Sequence, residues 1–336
     1  MNKTKLFGSI TMLTGVALTL AACSNGNSKS TNATQSKFKS EVPKAAVKKG
    51  GSVSIAIETD TPFTGIFNDE LESSATDASV MAPGDEPLFK TDDNYKIVNG
   101  GAANLKLNVK AKTATITINP KVKWSDGKPL VAKDIEYAYE IIANKDTKSE
   151  RYTDSLQDIV GMSEYHDGKS KTISGIDMPD GENGHKVVLH FKVMKPGMTQ
   201  SGNGYFWEAA APYHYLKDVP FKKLVSSNKI RKNPLFYGPF RMTKLVRGQS
   251  ATWAPNKYYY KGKPNLSKIT ESVVSPNSAA QAIKSHKFDI TDVVNSQWQN
   301  VKNTKGVNFI ANVPLSYSYL GFKVGKWDAK TGKNVM

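Results

Sequence analysis

The sequence predicts an α/β fold, and three observations carry that prediction. Ser52–Ile57, Thr113–Ile118 and Val187–Val193 alternate apolar and polar residues with a period of two, the pattern of half-buried strands. Between the second and third strands, Ile135, Ala138, Tyr139 and Ile142 fall at i, i+3, i+4 and i+7, one apolar helix face. A tight turn, Trp124-Ser125-Asp126-Gly127-Lys128-Pro129, leads into that helix. Asp126 supplies a short polar side chain, Gly127 supplies a residue free to adopt positive φ, and Pro129 is expected to block further pairing.

The chain begins with Lys3 and Lys5, then an apolar run from Leu6 to Leu20, then Leu20-Ala21-Ala22-Cys23. A basic start, a short apolar run and small residues before a cleavage point make a secretory signal. The run is too short for an ordinary spanning helix. Cys23 is the single cysteine, so no disulfide forms within the chain. Ser24–Lys49 is rich in Ser, Asn, Thr, Gly and Lys and reads as a flexible tether. Folded sequence starts at Gly50-Gly51. The first strand carries Val53, Ile55 and Ile57 on one face and ends at Asp60-Thr61-Pro62. Phe63–Val80 reads as irregular and partly helical, and Tyr95–Gly101 as a loop. Turn clusters at Asp177–Gly181 and Glu182–Gly184 precede the third strand, whose Val187, Leu189, Phe191 and Val193 share a face.

With 336 residues, 39% hydrophobic and 23% charged, the chain can form two domains or a large part of three. Its net charge is +16, yet it holds only four arginines, Arg151, Arg231, Arg241 and Arg247, and no basic run exceeds two residues. Nucleic-acid binders concentrate charge on one face and use Arg for bidentate base contacts. Dispersed lysine is instead a solvated surface, suited to an anionic bacterial envelope, and no nucleic-acid partner is expected.

Catalytic constellations are missing from the pattern. His185 and His190 are five apart along a strand and fall on opposite faces. There is no Cys-x-x-Cys, His-Glu-x-x-His, Gly-x-Ser-x-Gly or Walker A loop, and no carboxylate pair at helical or strand spacing. No metal, cofactor or enzymatic activity is expected. Tyr205–Trp207, Tyr258–Tyr260, Tyr317 and Tyr319 could line an apolar cleft, with a core role for most of them. Trp124 is expected to be the buried anchor of its turn.

The block Lys121–Ile142 resembles the signature of the extracytoplasmic solute-binding proteins that serve peptide ABC transporters, V-x-W-S-D-G-x-P-[LV]-T-A-x-D-[IV]. Val122, Trp124, Ser125, Asp126, Gly127, Pro129, Leu130, Ala132, Asp134 and Ile135 match it. Val131 replaces the usual Thr or Ser, so a hydroxyl N-cap is missing. The likeness runs on through Pro87–Phe89, Pro212–Leu216, Gly238–Met242, Ala254–Tyr259 and Gly262–Ile269. It continues in Ala279–Ile290, where His286 or Lys287 stands at a common glycine position, and in Tyr319–Phe322, which looks like a strand leading into a further lobe. Leu20–Cys23 resembles the lipobox of bacterial lipoproteins, whose cysteine thiol receives diacylglycerol; two acyl chains hold a protein stably on a bilayer.

The resemblance implies a bilobal, type II periplasmic-binding-protein-like fold, incomplete at the C-terminus. It implies a lipoprotein signal at 1–22, a tether at 23–49, and a discontinuous first lobe from 50–88 and 211–318. A small inserted lobe would occupy 89–210, and 319–336 would begin a truncated second ligand-binding lobe. The implied function is capture of extracellular oligopeptides by a lipid-anchored protein and delivery to ABC permease subunits, on the outer face of the cell membrane. By position, Phe67, Asn68, Asp69, Glu70 and Leu71 would form one ligand wall, and the chain alone would bind peptide weakly because the opposite wall is absent. Main-chain hydrogen bonds would hold an extended peptide with broad sequence tolerance. Pheromone, nickel-complex and sugar ligands stay open, as do a surface adhesin or structural lipoprotein and an envelope hydrolase.

Overall fold

The computed structural model describes residues 46–310, 319–322, 324–328 and 333–335. The leader, Cys23 and most of the tether lie outside the described residues. Two compact units are present, and the larger runs Ala46–Lys305.

Within the larger unit the order is β1 (Ser52–Glu58), α1 (Ala75–Met81), β2 (Lys90–Thr91), β3 (Ile97–Val98), β4 (Ala103–Asn108), β5 (Thr113–Ile118), α2 (Ala132–Ala143) and α3 (Met162–His166). There follow β6 (Ile176–Asp177), β7 (Lys186–His190), α4 (Tyr213–Leu216), α5 (Asn228–Arg231), β8 (Phe240–Val246), β9 (Ser250–Pro255), β10 (Lys268–Val274), α6 (Pro276–Lys284), β11 (Ile290–Thr291) and α7 (Trp298–Val301). One sheet has the order β11-β1-β10-β9-β8, with β1 parallel to β10 and β11 and the rest antiparallel. A second, antiparallel sheet has the order β4-β5-β7-β6. The first sheet draws on both ends of the unit's sequence; the second comes wholly from the stretch between.

Register explains the second sheet's core. Ala114 pairs with Leu189 and Ile116 with Val187, so their side chains share one face, and all four are fully buried. Ile135, Tyr139 and Ile142 of α2 pack into the same cluster. The helix is buried on a second side as well: Tyr137, Ala138 and Ile141 belong to another cluster, with Leu216 and Leu224. Its apolar stripe is therefore wider than the four-residue pattern. Each large side chain buried this way contributes about 1.5–3 kcal/mol.

Four local expectations change. Tyr95–Gly101 is not all loop, because Ile97–Val98 forms β3 against β2. The third strand stops at His190. Phe191 keeps a lone bridge to Ile159 and stays buried, but the Lys192 N–H turns to the Asp158 carbonyl (2.8 Å) and Val193 is 42% exposed. Pro129 does not end pairing. The Trp124 N–H reaches the Lys128 carbonyl (2.8 Å) and the Leu130 N–H the Val122 carbonyl (3.1 Å), so the ladder passes Pro129 at a position where no N–H is needed. Gly127 takes φ +94° as the turn requires. In the second unit, β12 (Lys326–Asp328) and β13 (Lys333–Val335) form an antiparallel pair, but Tyr319–Phe322 lies in no strand. A strand exists only with a ladder partner, and Leu320 and Phe322 stand about four-fifths exposed (80% and 82%).

Two departures from the pattern that the sequence resembles are compensated. With Val131 at the N-cap of α2, the Ala132 and Lys133 N–H groups donate to the Gly184 and Glu182 carbonyls (2.9 and 3.0 Å). Asp134 accepts the Val131 N–H (3.0 Å), half of a capping box. At the end of α6, His286 adopts φ +52°, and the His286 and Lys287 N–H groups donate to the Ile283 and Ala282 carbonyls (3.2 and 2.9 Å). This is a Schellman cap built on a residue that pays about 1 kcal/mol for the left-handed conformation.

Candidate functional site

The chain between β1 and α1 is fixed from its first residues. Asp77, fully buried in the first turn of α1, accepts the N–H groups of Thr64 (2.6 Å), Gly65 (3.1 Å) and Ile66 (3.0 Å). Two apolar anchors follow. Phe67 packs with Phe63, Val80, Met81, Phe236 and Trp253, and Leu71 packs with Tyr137, Ile141 and Leu216. Asn68, Asp69 and Glu70 are strung between these two cores. Glu70 is fully buried and accepts from Trp207 Nε1 (2.8 Å) and from the Asn68 amide (2.5 Å). The Ser149 hydroxyl donates to the Glu70 carbonyl (2.5 Å), and Arg151 pairs with Glu72. Of the five residues expected to form a ligand wall, four are buried and Asp69 alone is half-buried.

A second segment closes over the first. The Gly238 N–H donates to the Gly84 carbonyl (3.1 Å), and a Cβ on Gly238 would lie 2.4 Å from that oxygen and 2.5 Å from the Asp85 carbonyl. Only glycine allows this approach. It carries Tyr237 into the neighbourhood of Asp85, where its ring meets Trp124 edge-on at 5.1 Å. The result is a small cavity of about 20 Å³ whose lining includes Asn68, Asp69, Asp85, Trp124, Lys229 and Tyr237.

The cavity's electrostatics are acidic. Burial pushes the Asp69 carboxyl well above its ordinary range, and Asp85, Glu70 and Glu72 push it further against the pull of Arg151. Burial likewise raises Asp85, opposed by the Glu86 N–H that it accepts, and raises Glu70, opposed by its bonds from Trp207 and Asn68. The Tyr237 phenol is raised by burial and then by Asp85 and Asp69.

Beside the cavity, Asp134 ties the signature turn to α2 and α4. One carboxylate oxygen accepts Trp124 Nε1 (2.9 Å) and the Val131 N–H (3.0 Å); the other accepts the Tyr213 N–H (2.9 Å). Burial lifts this carboxyl to about 6 against those three donors. Trp124 is 1% exposed, the buried anchor of its turn. Three of the five histidines have side-chain partners: His190 holds Asp177 (2.8 Å), His214 holds Asp126 (2.8 Å), and His166 meets the Ala143 carbonyl (2.8 Å) while stacked on Tyr152 at 3.9 Å. Among the described residues, no three His, Cys, Asp or Glu side chains gather to hold a metal ion.

Asp85 and Tyr237 were invisible as site residues in the sequence, whereas Trp207 stood within the aromatic run Tyr205–Trp207. Tyr237 lies far along the chain from Phe67–Leu71, and its approach depends on tertiary packing. The Gly84 and Gly238 pair was the one local hint, since glycines at a crossing permit backbone contact.

Comparison with known proteins accounts for this architecture. The family described as bacterial extracellular solute-binding proteins, family 5 Middle, matches residues 96–334. The oligopeptide-binding protein OppA of Lactococcus lactis subsp. cremoris is 48% identical over 280 residues, 82% of this chain and 47% of that protein. The oligopeptide-binding protein AppA of Bacillus subtilis is 24% identical over 93% of this chain and 52% of its own length. Among solved structures, lactococcal OppA complexed with an endogenous peptide in the closed conformation superposes with a TM-score of 0.74 at 49% identity, covering 76% of this chain and 48% of that one. Bacillus subtilis AppA in complex with a nonapeptide shares the fold, with a TM-score of 0.60 at 22% identity over 77% of this chain and 47% of that one. The chain thus spans about half the length of the relatives it matches. It carries the α/β, type II periplasmic-binding-protein-like fold of those structures and belongs to the bacterial extracellular solute-binding proteins, family 5.

Proposed function

We propose that the protein carrying this sequence is the solute-binding component of an ABC importer, held to the outer face of the cell membrane by lipid on Cys23, and that its ligand is an oligopeptide. The observation that carries the reading is the 48% identity to a protein named for oligopeptide binding, maintained over 82% of the chain. A lobed clamp that closes around an extended peptide gives a permease a shape signal to read, whatever the side chains of the peptide. In this reading 50–88 with 211–318 forms one lobe, 89–210 an inserted lobe, and 319–336 leads into the opposite wall. Phe67–Leu71 is the ligand-side segment of the first lobe.

Transport tests the reading. A leucine auxotroph deleted for its own oligopeptide-binding protein should grow on leucine-containing peptides when it expresses the gene that carries this sequence. A Cys23→Ser variant should release the protein into the medium and cut growth on peptides while leaving growth on free leucine intact. Growth on free leucine alone, with or without the gene, contradicts the proposal.

A further inference from the structure

The small cavity between the two crossing segments has a composition that peptide capture does not explain. Asn68 and Tyr237 are 8% and 4% exposed, and the Asn68 Oδ1 and Tyr237 Oη atoms have no hydrogen-bond partner. A buried polar atom without a partner costs about 1–3 kcal/mol, and native folds leave few of them. Both residues line the same cavity as the carboxylates of Asp69 and Asp85. The arrangement presents oxygen atoms, and all but the phenol are pure acceptors.

Charge points the same way. Lys229 also lines the cavity, but its ammonium donates to the Tyr215 carbonyl and sits 4.9 Å from the Tyr215 ring centre. Arg151 pairs with Glu72. Asp69 and Asp85 both line the space, while Lys229 and Arg151 are engaged with Tyr215 and Glu72. At about 20 Å³ the space admits one small occupant.

We infer that this cavity is a binding site for a single hard divalent cation of the calcium class, held by Asp69, Asp85, the Asn68 side-chain oxygen and the Tyr237 hydroxyl. Oxygen-only donors with two carboxylates and an amide carbonyl are the set such a cation prefers, water filling the remaining positions. The ion would fasten the segment before α1 to Asp85 just after it and to Tyr237, which the Gly84–Gly238 contact brings in from a distant part of the sequence. The site shares Asn68 and Asp69 with the proposed ligand wall, but its test reads no peptide, so its failure leaves the peptide reading standing.

Terbium, a luminescent stand-in for calcium, tests the site on the full chain after chelator treatment and desalting. Trp124 and Tyr237 lie at the cavity and should sensitise its emission. The account predicts saturable terbium luminescence displaced by calcium, and a calcium-dependent rise in melting temperature that magnesium and sodium do not reproduce. Asp69→Asn and Asp85→Asn should each weaken binding at least about tenfold, and Tyr237→Phe should weaken it less. A chelator-treated melt of each variant reports its folding without the ion. No sensitised emission and no calcium effect on melting in a folded parent overturn the inference. So does a parent in which Asp85→Asn raises the melting temperature equally with and without calcium, the result for two carboxylates around a water.

Discussion

Asp134→Ala is expected to lower the stability of the Ala46–Lys305 unit by about 3–5 kcal/mol, the loss that follows when one buried hub leaves several donors unpartnered. The carboxylate accepts from the Trp124 indole, the Val131 N–H and the Tyr213 N–H, and the residue is 1% exposed. Removing it strands the buried Trp124 indole N–H and two partly buried backbone N–H groups at the junction of turn, helix and the α4 segment. The relief of burying a charge offsets part of that cost, because the carboxyl is already raised to about 6. Asp134→Asn should be milder, since its amide oxygen keeps one side of the hub while its NH₂ opposes a donor on the other. Urea unfolding followed by tryptophan fluorescence measures both. An alanine variant that unfolds at the parent's midpoint would remove Asp134 from the account of why the signature block is rigid.

The second large effect concerns Glu271 and has a pH signature. Glu271 lies on β10 between Ile269 and Val273, in register with Ile55 of β1 and Ala251 of β9, and is 4% exposed. Its single side-chain donor is Trp253 Nε1, at 2.7 Å. Burial raises its carboxyl to about 8, against the pull of that bond. The folded state therefore holds a proton that the unfolded state releases above about 4.5. Stability from this group is complete below that value, falls as pH rises, and is lost once pH passes about 8. One pKa unit corresponds to about 1.4 kcal/mol, so the loss between pH 5 and 8 should be on the order of 3 kcal/mol. Glu271→Gln keeps an oxygen for the indole and cannot ionise. Its melting temperature relative to the parent should rise steadily from pH 5 to pH 8. A difference between the two that stays constant over that range would show that Glu271 titrates normally in the fold.

The elements that sequence patterning located are those whose pattern is local. Thr113–Ile118 and the helix after the Trp124 turn appear where the periodicities place them, because burial on one face leaves its mark residue by residue. Val193 was misplaced because the alternation runs on past the point where the backbone leaves its ladder; the Asp158 carbonyl that draws Lys192 away is 34 residues upstream in the chain and has no local trace. The cap of α2 was equally hidden. Val131 reads as a missing cap, yet the Glu182 and Gly184 carbonyls supply the partners from a distant turn. Of the candidate site, Phe67–Leu71 was legible only through resemblance, and Asp85 and Tyr237 were not legible at all. They meet Asp69 through the Gly84–Gly238 contact, a tertiary event between residues 154 positions apart in the numbering.

The most direct test of the central claim is what the protein holds when it is isolated. Purified without denaturation from its host, then acid-released and analysed by mass spectrometry, the protein carrying this sequence should yield oligopeptides in near-stoichiometric amount and of varied sequence. Recovery of a sugar or a metal complex in that amount, with no peptide, would contradict the account.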